Sequence, residues 1–378
     1  MAVRSCAVED MVMFSGAYEG KIVWLSGHTG FKGGWLATWL LRLGANVHGF
    51  SLSPEDHSFF EETNLAPRLE HEIGDVRDLA AVKRSIDRAQ PDFVFHLAAQ
   101  PLVCLSYEQP LETYSTNVMG TANVLEALRS LKKTCAAVFV TTDKCYENCE
   151  SDSLAYSEGD LLGGHDPYSS SKAAAEIVIS AYRRSFFGKS PVHIASARAG
   201  NVIGGGDWAL DRIVPDAIRS LQRGDTIPVR NPAATRPWQH VLEPLSGYLW
   251  LATMLAGTDG NDTAPEKITT AFNFGPDKEA NRTVADLVNE ILKSWPGRWE
   301  DRSDPSAVHE ARLLMLSTAK AKRVLNWNPA WNFETAIERT VGWYREVSAN
   351  RASASDITIA QIEEYEQIAH GHGIKWAT

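Results

Sequence analysis

The sequence is poor in cysteine: five in 378 residues, an odd number with no Cys-x-x-Cys pair. That excludes a disulfide framework of the kind small secreted domains need. Cys145 and Cys149 are separated by three residues, but no second Cys/His pair with ligand spacing accompanies them, so no metal site is expected. No apolar run approaches the roughly 18 residues of a membrane span. The opening "MAVRSCAVEDMVMFSGAYEGK" carries acids inside its apolar stretch, where a signal peptide needs an unbroken apolar region. No Lys/Arg run offers a nucleic-acid footprint, and a formal net charge of −10 opposes one. Internal repeats and low-complexity tracts are missing too. These absences leave a reduced, cytoplasmic, soluble protein with neither a membrane nor a nucleic-acid partner. Its 44% hydrophobic and 22% charged residues fit that class, and its length allows one large domain with a smaller one grafted on.

Short β-rich runs alternate with helical patterns through the first two thirds. "KIVWLSG" is an apolar run ending in Gly, and "FKGGWLATWLLRLG" follows with helical periodicity and a stop at Gly44. "NVHGFSL", "HEIGDV", "DFVFHLAAQ", "AAVFVTT" and "VHIASARAGNV" read as further strands. "DLAAVKRSIDRA", "NVMGTANVLEALRSL" and "YSSSKAAAEIVISAYRRSF" read as the helices between them. This alternation predicts an α/β fold of Rossmann type, a doubly wound parallel sheet covered on both faces. From about Gly204 the rhythm breaks, and Gly, Pro and Trp become frequent. Residues 18–203 are therefore expected to form the dinucleotide-binding domain, with re-entrant segments around 235–275. A smaller mixed α/β part for substrate is expected over 204–350, followed by a weakly amphipathic tail, 351–378.

"GHTGFKG", with Gly27, Gly30 and Gly33, lies between the first strand and the first helix. Glycines there permit a tight turn, close approach of backbone to a pyrophosphate and close helix–strand packing, while the helix start supplies N–H donors. A glycine pattern alone is weak; strand, turn and helix in the required order make it a dinucleotide site. Its GxxGxxG spacing resembles the extended short-chain dehydrogenase/reductase superfamily. By that resemblance Thr29, Phe31 and Lys32 share the turn's contact with the cofactor, and "GDVRD" supplies Asp75, with Val76, for the adenine. Leu97, Ala98, Ala99 and Gln100 line the dinucleotide, Asn117 opens the next helix, and Thr141 stands at a strand end beside it. Ser51 occupies the position where an Asp or Glu usually holds the ribose. No Arg or Lys adjoins it to receive a 2′-phosphate, so NAD is favoured over NADP.

Tyr168 and Lys172 are i and i+4 on one helix face. An ammonium beside a phenol stabilises the phenolate and lowers its pKa, so the Tyr can take a proton from an alcohol whose carbon gives up hydride. Thr142, at the end of a strand, would hold that hydroxyl. A lone Tyr-xxx-Lys occurs by chance in many helices; after the glycine turn and the strand-end Thr it reads as catalytic. Asp143 and Lys144 follow that Thr directly. On their own, two charged residues in a turn are ordinary solvated groups. Yet "TTDKCYEN", "GGHDPYSSSKAAAE", "ARAGNVIGGGDWALDRIVPD" and "GHTGFKGGWLATWL" together resemble the CDP-glucose 4,6-dehydratases, over roughly residues 20 to 345. Related dTDP- and GDP-sugar dehydratases carry Asp-Glu where this chain has Asp-Lys.

The resemblance implies an NAD-dependent hydro-lyase of deoxysugar biosynthesis, such as that of lipopolysaccharide O-antigen, acting on CDP-glucose. Tyr168 would be the base at O4 and Lys172 its electrostatic partner. Asp143 would serve as acid at the C6 hydroxyl and Lys144 as base at C5, with another group at C5 left open. Asn201, Arg212 and Arg236 are candidates for substrate contacts, since Arg suits bidentate phosphate binding. For each Arg alone a surface salt bridge is as good a reading. His240 joins these substrate-side candidates, although a histidine in such a setting is more often structural. A homodimer or homotetramer, built on the helices of Asn117 and Tyr168, is implied by resemblance. A C4 epimerase needs only Thr, Tyr and Lys, so the Asp-Lys pair separates the two enzyme readings. The intact Thr142, Tyr168 and Lys172 oppose a third, a silent NAD-binding protein.

Overall fold

The computed structural model describes residues 11–151, 154–257, 265–303 and 313–378. The reading of the N-terminal stretch therefore falls partly, over residues 1–10, outside the described residues, as do parts of the Cys145–Pro167 connector and of the 204–350 segment. No described helix is long and apolar enough to cross a membrane.

Six strands, β1 (Ile22–Ser26), β2 (Asn46–Ser51), β3 (Glu70–Ile73), β4 (Phe93–His96), β5 (Cys135–Val140) and β6 (Val192–Ala199), form one parallel sheet in the order β3–β2–β1–β4–β5–β6. A seventh strand, Ala271–Phe274, pairs parallel with β6. It lies in "TTAFNFGP", so the chain returns to the sheet after leaving it at Gly204. Strand residues alternate between two apolar layers. Val23 and Leu25 enter the layer containing Trp35, Leu36 and Leu249, whereas Trp24 enters the one containing Val82, Val124 and Ile179. β5 is buried at every position, which is why its sequence is a continuous apolar run rather than an alternating one.

Local signals explain the helices that carry the site. The first helix, Phe31–Arg42, starts at Gly30, whose backbone is extended and which offers no side-chain cap. The helix Pro167–Tyr182 starts with Pro167 in its first turn, where a missing N–H costs nothing, and Asp166 caps the Ser169 N–H at 2.9 Å. Asn117 does not open a helix, contrary to the sequence expectation. It lies in a π turn, Ser115–Met119, inside a helical run from Pro110 to Leu128.

The 351–378 segment is structural. Its helix, Ala354–Gly371, packs on the first helix through Glu366, which accepts from Trp39 Nε1 at 2.8 Å and Arg42 Nε at 3.1 Å. Beyond it, Trp376 stacks on Phe14 and Tyr365 with centroids 4.9 and 5.7 Å away.

Burial holds the pKa values of His28, His96 and His240 down to about 3. An unfolded imidazole titrates near about 6.5, so the unfolded chain binds these protons first as the pH falls. Stability is then lost between about pH 6.5 and 3, at about 1.4 kcal/mol per pH unit for each histidine. Glu243 opposes this: burial pushes it up to about 7, so its protonation favours the folded state over pH 7 to about 4.3. His48, His71 and His193 add smaller contributions to the first group, and Glu62 and Glu366 to the second. Three large shifts against one predict a lower urea midpoint at pH 5 than at pH 7. An equal or higher midpoint at pH 5 would contradict the assignment.

Candidate active site

At the carboxyl ends of the strands, the turn after β1 presses against the turn after β4. Gly27 has a φ of +77°, and a Cβ there would lie 2.7 Å from the Ala98 nitrogen; only glycine satisfies both conditions. A Cβ on Gly33 would collide with the Gly27 carbonyl. This cradle, facing the uncapped start of the first helix, fits the pyrophosphate of a dinucleotide. Thr29 and Ser51 hydroxyls meet at 2.7 Å at the end of β2, where a ribose would lie. Asp75 is gripped by Arg77 through Nε–Oδ2 at 2.8 Å, and this pairing lowers the carboxyl's pKa. Val76 lies under Gly120. The amides of Leu97 and Ala98 donate to Ser26 Oγ, and Ala99 completes their turn. His28, inside the glycine turn, is fully buried and bonded to His71 at 2.7 Å. Gly49 leaves room for its ring.

Asn117 acts through its neighbours. Its Oδ1 accepts from Gln100 N at 2.9 Å, and its Nδ2 donates to the Gln100 carbonyl and to Ser171 Oγ. It thereby ties the turn after β4 to the helix of Tyr168 and Lys172.

The acid–base residues converge beside this cradle. Thr142 Oγ1 donates to Asp143 Oδ1 at 2.9 Å, and it favours loss of the Tyr168 phenol proton. Lys144 Nζ is 3.8 Å from Asp143 Oδ1 and donates to Asn201 Oδ1 at 3.3 Å. Lys172 Nζ faces the Val140 carbonyl at 3.5 Å. Burial pushes the Tyr168 phenol up to about 12; the Thr142 bond and the Arg212 charge pull the other way, whereas Asp143 and Asp166 add to the rise. The expected lowering by Lys172 is not what the structure displays. Lys172 is itself brought down to about 8 by burial, which weakens it as a source of charge.

Lys32 proves to be more than part of the glycine turn. Burial and the charges of Arg212, Lys172 and Lys144 bring it down to about 7, against the pull of Asp143, and its ammonium lies 5.8 Å from the Tyr248 ring centroid. Four cations thus surround one acid and one phenol.

Of the substrate-side candidates, Asn201 and Arg212 belong to this group, with Arg212 braced by Asp207 at 2.9 Å. Arg236 is half-buried in the strand Thr235–Pro237, its Nη1 donating to the Thr235 carbonyl. His240 is a correction: it is completely buried, edge-on to Trp35 and Trp331, and its Nδ1 accepts from Leu242 N. Two tryptophans occupy the approach to its ring, so it is a core histidine and no substrate ligand.

Two residues escaped the sequence reading. Arg198 and Glu176, both buried, form an ion pair at 2.8 Å. Thr141 Oγ1 donates to Glu176 Oε1 at 2.5 Å, so its side chain turns into this network rather than toward a cofactor. Ser196 donates to the other oxygen at 2.8 Å. Arg198 Nη1 donates to Tyr146 Oη, which donates in turn to Asn273 Oδ1, both at 2.7 Å. The available signals were Glu176 four residues after Lys172, and a charge inside the strand "VHIASARA".

The fold and this cluster define an extended short-chain dehydrogenase/reductase. Within that superfamily the chain belongs to the GDP-mannose 4,6 dehydratase family, whose sequence model matches residues 25–340. It is 46% identical over 338 residues to the CDP-glucose 4,6-dehydratase of Salmonella typhimurium, covering 87% of this chain and 91% of that protein. It is 27% identical to a dTDP-glucose 4,6-dehydratase of Neisseria gonorrhoeae, over 76% of this chain and 84% of that one. The solved dTDP-glucose 4,6-dehydratase from Streptomyces venezuelae, with NAD and TYD bound, matches with TM-score 0.72 at 24% identity, covering 86% of this chain and 98% of that one. The UDP-glucose 4-epimerase of Thermotoga maritima matches at 0.70 and 20% identity, covering 86% and 99%. These two likenesses speak for the fold alone.

Glu176→Gln keeps the side chain's size but strands the buried Arg198 charge. It is expected to cost about 3–5 kcal/mol of stability, read from denaturant unfolding. A variant of unchanged stability would show that the pair carries no such load.

Proposed function

We propose that this protein is a CDP-glucose 4,6-dehydratase, converting CDP-glucose to CDP-4-keto-6-deoxyglucose and water. The observation that carries the reading is Asp143 and Lys144 packed between Thr142, Tyr168 and Asn201, in a chain 46% identical to a protein of that name. An epimerase has no work for such a pair, because no proton leaves C5 and no hydroxyl leaves C6. The Gly27–Gly33 cradle would hold NAD, which would supply the hydride-transfer chemistry between C4 and C6.

The chain's own residues move the protons. Thr142 orients the C4 hydroxyl, and Tyr168 takes its proton as the carbon is oxidised. The resulting ketone acidifies the C5–H bond. Lys144 removes that proton, and its bond to Asn201 Oδ1 holds the amine in a fixed direction. Asp143 gives a proton to the departing C6 oxygen, so water leaves across C5 and C6. Arg212 supports the diphosphate, with Asp207 as its brace. Arg236 is assigned to the same end of the substrate. The sugar-nucleotide-binding half is assigned mainly to residues 204–350, and a cytoplasmic homo-oligomer is the expected form.

Incubation with CDP-glucose is expected to produce an alkali-sensitive keto sugar. Epimerisation without keto product would exclude the reading. Lys144→Ala is expected to lower product formation at least about 100-fold while leaving CDP affinity unchanged; turnover at the wild-type rate would remove Lys144 from the C5 role.

A further inference from the structure

The cofactor turn carries a charge that a dinucleotide cradle does not need. Lys32 stands between Phe31 and Gly33 in the first turn of the helix Phe31–Arg42, where backbone N–H groups suffice for a pyrophosphate. Its side chain reaches a different element, and the ammonium lies 5.8 Å from the ring centroid of Tyr248. Tyr248 belongs to the helix Leu242–Leu255, is fully buried, and stands edge-on to Phe274 with centroids 5.7 Å apart. Within about 6 Å a ring face attracts a cation, so this fixed ring is a platform for the ammonium. Among the described residues no carboxylate pairs with Lys32 and no hydrogen bond reaches it. The charges that act on it are the cations Arg212, Lys172 and Lys144, with Asp143 the counter-charge.

The two ends of Lys32 define what lies beside it. Its backbone belongs to the turn that cradles the pyrophosphate, and its ammonium to the cluster around Tyr168 and Asp143. A nicotinamide must connect the same two places. It is joined to the pyrophosphate through one ribose, and it must meet the carbon whose hydroxyl Tyr168 deprotonates. The oxidised ring carries a positive charge, and the ring that has taken up hydride carries none.

We infer that Lys32 poises the cofactor: its ammonium, held on Tyr248, repels the oxidised nicotinamide and shifts the bound couple toward the reduced form. The inference goes beyond the choice of substrate and concerns the first step of the reaction. Hydride leaves C4 with its electron pair, the O4 proton goes to Tyr168, and the ring's charge disappears, which relieves the repulsion. Return of the hydride to C6 restores that charge only after water has left. Burial and the neighbouring cations bring Lys32 down to about 7, so it carries part of its charge at neutral pH and gains more beside an uncharged ring.

The experiment measures the dissociation constants of NAD, NADH and ADP-ribose for the full-length wild type, Lys32→Met and Lys32→Gln, with no sugar present. ADP-ribose has the pyrophosphate but no nicotinamide, so it reports any role at the cradle. Both variants remove the charge and keep most of the side chain's length. Each is expected to shift the preference between NADH and NAD about tenfold toward NAD, with ADP-ribose unchanged. That shift corresponds to a midpoint potential of the bound couple lower by about 30 mV, the two-electron equivalent of tenfold. An unchanged NADH-to-NAD ratio overturns the inference. An equal change for all three ligands assigns Lys32 to the pyrophosphate and overturns it as well. Failure of both variants to fold makes Lys32 structural, with the same consequence. Because no sugar is present, the result is independent of whether CDP-glucose is the substrate, which the keto-product assay tests alone.

Discussion

The buried Arg198–Glu176 pair is the interaction on which the geometry of the site depends. Taking two charges out of water costs several kcal/mol each, and attraction repays this only where further hydrogen bonds satisfy both ions. Here they do: Thr141 and Ser196 donate to the carboxylate, and Tyr146 accepts from the guanidinium. The partners come from the end of β5, from β6 and from the connector after Cys145. Tyr146 passes the link on to Asn273 in the seventh strand. Because Glu176 lies one turn beyond Lys172 on the same face, the pair fixes the Tyr168–Lys172 helix against Thr142. A slip of that helix would break several bonds at once.

The same low-dielectric setting governs the amines. Glu176 is the largest influence opposing the desolvation of Lys172, which would otherwise fall further below its ordinary pKa. Lys32 has no such support: it faces Arg212, Lys172 and Lys144, with Asp143 the counter-charge. Repulsion and burial therefore act together on Lys32, bringing it down to about 7, whereas burial alone lowers Lys172, to about 8. Spacing alone cannot report this, because Lys32 is read in sequence as a neighbour of glycines and Lys144 as a neighbour of Asp143. Only the fold brings a residue after β1 into the field of residues after β5 and β6.

Much of the architecture was legible because its signals are local. The strand–glycine–helix order around Gly27, the apolar run of β5, and the i, i+4 spacing of Tyr168 and Lys172 each depend on a few consecutive residues. What escaped depends on distant pairs. Arg198 and Glu176 are 22 residues apart, and Asn273, joined to them through Tyr146, is far beyond both. Asn117 misled for a related reason: the helical pattern "NVMGTANVLEALRSL" begins at it, but a π turn and three hydrogen bonds to distant residues define its place. His240 carried a plausible residue type in a motif-like context, and the packing of Trp35 and Trp331 overruled it.

The phenol shows how the charges divide their work. Burial, Asp143 and Asp166 all hold the proton on Tyr168, whereas Thr142 and Arg212 favour its loss. A phenol near 12 is almost wholly protonated at neutral pH, so it cannot wait as a phenolate; it must lose its proton as positive charge gathers around it. Arg212 connects this requirement to substrate. A guanidinium assigned to the diphosphate also lies in the field of Tyr168, and any rearrangement that brings it closer lowers the phenol further. Asp207 holds this guanidinium at 2.9 Å.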